Sequence, residues 1–154
     1  MRSLIFFLFV NLFCISLSAQ YFGRNKPRYR NFDVKVKETP HFDFYYYTKN
    51  KAALERMTQM TEVWYDYHQK LLGDTFNFKN LVILYNNHAE FQQTNSISGD
   101  ISIGTGAVTE AFKNRVVMPF AFSNNTNRQV LGHELVHAFQ FHSIINGDST
   151  SLQS

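Results

Sequence analysis

The chain has 154 residues, with 15 lysine and arginine side chains against 12 aspartate and glutamate side chains and a formal net charge of +3. This length suits one domain and is too short for two of ordinary size. The small excess of positive charge argues against a nucleic-acid-binding function, which requires a strongly basic surface. Cys14 is the only cysteine, so we expect no disulfide bond within the chain.

Residues 1–19 have the pattern of a secretory signal peptide. Arg2 supplies the positive start, residues 4–17 are almost wholly apolar, and small residues stand where cleavage is expected. Phe13 precedes Cys14, and lipidation is not expected because a lipoprotein signal places a small residue there. We therefore predict export, to the periplasm, the outer membrane or the medium. An uncleaved membrane anchor is the alternative, although a spanning helix needs about 20 apolar residues.

Residues 20–31 are predicted to form a basic flexible arm, followed by one folded domain over residues 32–145 and a polar tail over residues 146–154. The positive charges of the arm are Arg24, Lys26, Arg28 and Arg30. Such an arm is able to bind anionic lipid or nucleic acid, but we interpret it as a solvated tail. No internal repeat or low-complexity linker divides the chain.

Two strands are predicted at the start of the folded domain. Residues 32–37 alternate apolar and polar side chains with period two, which predicts a half-buried strand. Thr39 and Pro40 end it. Residues 41–47 begin by alternating and then become aromatic throughout, which predicts a second strand that pairs with the first as a hairpin.

Residues 49–72 predict a long amphipathic helix. Apolar side chains recur at steps of three and four residues, and Gly73 and Asp74 provide an end signal. We interpret its methionine and aromatic stripe as core and His68 on that stripe as a buried structural histidine instead of a metal ligand.

Further strands are predicted in the second half of the chain. Residues 81–85 are a short apolar run typical of a central buried strand, and residues 88–93 favour a short helix. Residues 94–106 predict an irregular loop. Residues 107–110 and 115–119 predict extended segments. The fold class is therefore α+β, with a mixed sheet, a long N-terminal helix and a C-terminal helix.

The C-terminal helix contains the spacing His-Glu-x-x-His, formed by His133, Glu134 and His137. At about 100° per residue the two histidines lie about 40° apart on one helix face, so both imidazoles can reach one zinc ion. The polar run over residues 123–127 is rich in helix-capping residues. The pattern predicts His133 and His137 as zinc ligands and Glu134 as the general base of a peptidase. The alternative is an ordinary amphipathic helix without metal.

These segments together resemble a known family. The order of Gly104 to Glu110, then Asn114 to Pro119, then Leu131 to His137 resembles the peptidase-MA-like gluzincins. It is similar to the amino-terminal domain of Bacteroidota envelope proteins in which such a domain precedes TolB-like β-propeller repeats. The resemblance spans about residues 20–142. It implies a zincin-like fold, Zn²⁺ as cofactor, a peptide or protein substrate, and an envelope-associated partner or a downstream propeller in a longer protein.

The resemblance also implies how substrate is aligned. In such enzymes the strand before the metal helix forms the upper rim of the cleft, and an edge strand binds the peptide backbone by strand addition. This would assign Ala107, Val108 and Thr109, or alternatively residues 114–117, to substrate binding. The other interpretation is that these residues are simply the edge of a sheet.

The third metal ligand is the element of the family pattern that the sequence does not supply. A gluzincin takes it from a glutamate on a following helix, and no glutamate follows Glu134. His142 lies about 180° from His133 on a continuing helix and is expected to point away. Asp148, after a predicted turn, is the remaining candidate. Two explanations stay open: a longer protein supplies the ligand beyond Ser154, or the domain is a non-catalytic envelope interaction module.

Overall fold

The computed structural model describes residues 31–95, 102 and 104–145. The predicted signal peptide, nearly all of the basic arm, part of the predicted loop over residues 94–106, and the polar tail with Asp148 lie outside these residues. No helix in the described ranges is both long enough and apolar enough to cross a membrane.

The described elements begin with two strands, after which helices and strands alternate along the chain. They are β1 (Lys35–Glu38), β2 (Phe42–Tyr46), α1 (Lys51–Leu72), β3 (Asn80–Tyr85), α2 (His88–Phe91), β4 (Val108–Glu110), a 3-10 helix (Ala111–Lys113), β5 (Arg115–Pro119) and α3 (Asn124–Ile145). Each predicted strand and helix is therefore present, with bounds that differ by a few residues from the predicted ones.

The five strands form one mixed sheet in the order β1-β2-β3-β5-β4. Strands β2, β3 and β5 run parallel, whereas β1 and β4 are antiparallel to their neighbours and form the two edges. The predicted mixed sheet, long helix and C-terminal helix are confirmed at this level.

The predicted hairpin of the first two strands is confirmed, but the predicted half-burial of the first strand is wrong. Val36 is 51% exposed. Lys37 stands opposite Phe44 in the register, and Phe44 is fully buried on the helical side of the sheet. Because side chains alternate along a strand, Val36 points to the other side. Lys37 takes the helical side and pairs there with Glu55 of α1.

The core lies between the sheet and the two long helices. It combines Phe42, Phe44, Val82, Leu84, Val116 and Met118 of the strands with Leu54, Met57, Tyr65, Leu131, Leu135, Ala138 and Phe139 of α1 and α3. Full burial of one such large side chain stabilises the fold by roughly 1.5–3 kcal/mol. The apolar stripe predicted for α1 is thus core in its first two turns, but the prediction is wrong at Tyr67, Leu71 and Leu72, which are exposed.

Helix α3 packs closely against α1 at Gly132. A Cβ atom at position 132 would lie 2.7 Å from two carbons of the Trp64 ring, so only glycine permits this approach. The Trp64 indole N–H donates to the Arg128 carbonyl at 3.0 Å, and His68 Nε2 donates to the Gly132 carbonyl at 3.0 Å. Burial lowers the pKa of His68, which favours its neutral form. The prediction of a buried, structural His68 is confirmed.

Candidate metal centre

His133 and His137 lie one turn apart on α3, on the face directed away from the core. Their Nε2 atoms are 3.2 Å apart, and the two rings are nearly perpendicular, at 88°. Two Zn–N bonds of about 2.0–2.1 Å at a tetrahedral angle would place the nitrogens about 3.3–3.4 Å apart. The Nε2–Nε2 distance is therefore close to the separation of two adjacent nitrogen ligands in a tetrahedral zinc site.

The sequence around these histidines explains why they face outward. Leu131, Leu135 and Phe139 are buried against the sheet and α1, which leaves His133 exposed and His137 half-buried on the other side. The helix begins in the polar run predicted to cap it, where the Ser123 hydroxyl accepts a hydrogen bond from the Thr126 N–H at 3.0 Å.

Gln140 hydrogen-bonds to the second nitrogen of His137. The Gln140 side-chain oxygen accepts from Nδ1–H at 3.0 Å. A neutral imidazole has one N–H, so with the proton on Nδ1 the lone pair of His137 is on Nε2, which faces Nε2 of His133. Gln140 had no role in the sequence-based prediction, although its spacing of three residues from His137 places it on the same helix face.

Glu134 is held by the edge strand β4. Its side chain is only 8% exposed, and the Thr109 hydroxyl donates to its Oε2 at 2.6 Å. The same hydroxyl lies 3.0 Å from the Glu134 main-chain oxygen. The other carboxylate oxygen, Oε1, receives no hydrogen bond from the described residues and is not fully buried. Thr109 thus fixes one oxygen and leaves the other free.

Strand β4, not β5, is the edge of the described sheet beside this site. Among the residues that the structure describes, β4 pairs with β5 alone, whereas β5 pairs with β3 and β4 on its two sides. The alternative assignment of residues 114–117 to strand addition is therefore wrong, because residues 115–117 pair with strands on both sides and the Asn114 carbonyl accepts from the Leu81 N–H. The strand just before α3, which the resemblance assigned to the upper rim of the cleft, is thus an inner strand of the sheet. Val108 and Thr109 lie in β4 and Ala107 directly precedes it.

His142 belongs to the buried side of α3, as predicted, and does not approach the histidine pair. It is 4% exposed, its Nδ1 donates to the Asp74 carboxylate at 3.0 Å, and its Nε2 accepts from the Asn77 N–H at 3.2 Å. Burial raises the pKa of Asp74, but hydrogen bonds from His142, Ser143 and the Thr75 N–H outweigh it, so this pKa lies below its usual value.

The described part of the chain does not supply a third ligand. Among those residues no group of three or more His, Cys, Asp or Glu side chains is arranged to hold a metal ion. Asp148, the candidate named from the sequence, falls in residues 146–154, outside the described ranges. Among the described residues, His133 and His137 are therefore two candidate ligands that no third side chain joins in a metal-binding arrangement.

Comparison of the chain with models of known protein families, with curated proteins and with solved structures gives no match. The resemblance to peptidase-MA-like gluzincins thus rests on the residues quoted above. What the structure establishes is the mixed α/β fold with its five-stranded sheet.

Proposed function

We propose that this zincin-like domain is a zinc-dependent metallopeptidase domain of the gluzincin type. In this proposal His133 and His137 hold Zn²⁺, and Glu134 acts as the general base. The observation that carries it is the 3.2 Å separation of the two Nε2 atoms on an outward helix face. The buried Glu134 between them in sequence, held by Thr109 of the edge strand, supports the assignment of the base.

In this proposal the histidines bind the metal ion and Glu134 transfers protons. A bound zinc ion would supply Lewis acidity, which lowers the pKa of water toward about 7 and polarises a peptide carbonyl. Glu134 would accept a proton from the attacking water through Oε1, since Oε2 is occupied by the Thr109 hydroxyl. The same carboxyl group would then return a proton to the leaving amine. His133 and His137 act as neutral ligands throughout.

The substrate would be an extended peptide or an unfolded segment of a protein. Strand β4 is the edge of the sheet formed by the described residues, and a peptide in extended conformation could add beside it as a further strand. Residues Ala107, Val108 and Thr109 would supply the main-chain hydrogen bonds that align it. The predicted export would place this activity in the periplasm, at the outer membrane or outside the cell.

A third ligand is required for this chemistry, because catalytic zinc sites have three protein ligands and one open position. The proposal places it outside the described residues, with Asp148 as the candidate in the tail and a longer protein as the other source. The incomplete group among the described side chains also supports a second candidate function, a non-catalytic envelope interaction module.

Peptide hydrolysis by the purified full chain tests the proposal. The chain is loaded with one equivalent of zinc, incubated with a mixture of unstructured peptides, and the products are analysed by mass spectrometry. We expect new amino termini with the wild type and none with Glu134→Gln, which retains the shape of the side chain but not its basicity. Glu55→Gln, an exposed change on α1 outside the site, is the matched control and should cleave like the wild type.

Zinc binding separates the two candidate functions. Zinc bound by both the wild type and Glu134→Gln, with no cleavage by either, would favour the interaction module. Loss of zinc in Asp148→Ala would identify the third ligand within the chain. A wild-type chain that neither binds zinc nor cleaves any peptide would overturn the metallopeptidase proposal.

A further inference from the structure

We infer that Gln140 is a positioning residue that fixes the tautomer and ring orientation of His137 and so presents its Nε2 lone pair to a metal ion. This inference rests on the proposed function for its biological meaning. Its structural content, the position of one proton on His137, is measurable without metal and without catalysis.

The hydrogen bonds around His137 form a chain with one direction. The Gln140 side-chain oxygen faces Nδ1 at 3.0 Å, and an amide oxygen can only accept, so the proton is on Nδ1. With the proton of His137 on Nδ1, the Nε2–H of His133 donates to Nε2 of His137. The opposite direction would require the Gln140 amide group to donate, and it would place the proton of His137 on Nε2, where it blocks metal binding.

His133 lacks a corresponding support within the described residues. No described side chain or carbonyl accepts from its Nδ1, and its ring is exposed. His137 is supported twice, by Gln140 and by the Phe141 ring, which lies 6.2 Å away with an interplanar angle of 27°. His133 therefore serves as an internal control, because a change at position 140 should alter His137 and not His133.

The expected effect on metal affinity follows from other metal sites, in which a protein group also accepts the second N–H of a ligating histidine. Removal of a group that accepts the second N–H of a ligating histidine typically lowers metal affinity by about 10- to 100-fold. Gln140 is solvent-exposed, and water competes for the same N–H. We therefore expect a loss near the lower end of this range, about tenfold.

The first experiment locates the proton. The full chain is labelled with ¹⁵N, stripped of metal, and its imidazole nitrogens are assigned by long-range NMR correlations at about pH 8.5, where histidines are ordinarily uncharged. We expect the Nδ1–H tautomer for His137 in the wild type and in Gln140→Glu, and loss of this preference in Gln140→Leu. A wild-type His137 protonated on Nε2, or an unchanged tautomer in Gln140→Leu, would overturn the inference.

The second experiment measures zinc affinity by competition with a chromophoric chelator. Gln140→Leu should bind zinc about tenfold more weakly than the wild type, and Gln140→Glu at least as tightly, because a carboxylate accepts the N–H more strongly. Gln129→Leu makes the same change at an exposed position earlier on α3, where the side chain has no hydrogen bond to a described residue, and it should match the wild type.

The two experiments separate failure of the inference from failure of the proposed function. If His133→Ala loses zinc while Gln140→Leu keeps wild-type affinity, the metal site stands and the role of Gln140 is refuted. If the wild type binds no zinc, the proposed function fails, and the NMR result alone decides whether Gln140 sets the tautomer of His137.

Discussion

The two sides of α3 use histidine in different ways. On the buried side, His142 is 4% exposed, and both of its ring nitrogens are taken by protein groups, the Asp74 carboxylate and the Asn77 N–H. On the outward side, His133 and His137 direct their Nε2 atoms at each other across 3.2 Å. The same residue type on one helix is thus fixed by the fold in one place and available to a ligand in the other.

The difference lies in what the Nε2 lone pair meets. In His142 that lone pair accepts a main-chain N–H inside the fold and is not accessible to a ligand. In His137 it meets only the exposed ring of His133, and the proton of His137 is held on Nδ1 by Gln140. Substitutions on the buried side should therefore change stability but not zinc affinity, and substitutions on the outward side should do the reverse.

The largest effect on stability is expected for His142→Ala. The change leaves a cavity beside Phe76 and removes the partner of the Asp74 carboxylate and of the Asn77 N–H. We expect the free energy of unfolding to fall by about 2–4 kcal/mol, measured by urea denaturation. Zinc affinity, measured under conditions where the variant is folded, should stay at the wild-type value. A parallel loss of zinc affinity would mean that the two sides of α3 are not independent.

Gly132→Ala should destabilise the packing of α3 on α1. The new methyl group would lie 2.7 Å from the Trp64 ring, which is rigid and hydrogen-bonded through its N–H to Arg128. Overpacking of this kind costs about 1–3 kcal/mol. We expect this cost to exceed the gain in helix propensity of about 1 kcal/mol, because the hydrogen bond to Arg128 holds the ring in place.

A double-mutant cycle with Trp64→Leu sharpens this test. The smaller side chain removes the clash, so Gly132→Ala should become neutral or stabilising in that background. Thermal or urea denaturation of the four proteins gives the coupling energy. If Gly132→Ala stabilises the wild-type background, the close approach of the two helices is not as tight as described.

Thr109→Val should affect both the fold and the site, because Thr109 joins the edge strand to Glu134. Loss of the hydroxyl leaves Oε2 of a buried carboxylate without its donor, which costs about 1–2 kcal/mol in unfolding free energy. We also expect lower peptide hydrolysis at unchanged zinc affinity. Thr109→Ser keeps the hydroxyl and should retain both properties. Equal hydrolysis by the valine and serine variants would remove Thr109 from the site.

The smallest effect is a pH dependence at Asp74. Its pKa in the folded protein is lowered, because its hydrogen bonds outweigh burial. A lowered folded pKa adds stability that is fully present above the unfolded value of about 3.9 and is lost as pH falls through the folded value. The wild type should therefore exceed Asp74→Asn by about 1 kcal/mol at pH 7, and the difference should shrink below about pH 4. A pH-independent difference would contradict this account.

Local features of this protein were predictable from sequence, because they depend on periodicity. The location of His133 and His137 on one helix face, the burial of His68 and the orientation of His142 all follow from 3.6 residues per turn. The hairpin of β1 and β2 follows from two alternating segments separated by a turn signal. These predictions agree with the structure.

Features that depend on strand order were not predictable. Periodicity does not tell which of two extended segments lies at the sheet edge, so residues 107–109 and 114–117 were equal candidates until the order placed β5 inside. The exposure of Val36 depends on which side of the sheet the helices cover. The Thr109–Glu134 bond joins residues 25 positions apart. Gln140 is only three residues from His137, but the sequence does not show that its side-chain oxygen accepts a hydrogen bond from Nδ1 of His137.

The most direct test of the account is the zinc content and affinity of the purified full chain beside His133→Ala, at neutral pH without chelator. We predict one zinc ion per wild-type chain and a loss of affinity of at least about 100-fold in the variant, since each ligand carries a large share of the binding free energy. The stability of the two metal-free proteins should agree within about 0.5 kcal/mol, because His133 is exposed. Equal zinc affinity in both proteins, or no zinc in either, would contradict the assignment of the outward histidine pair as a metal site.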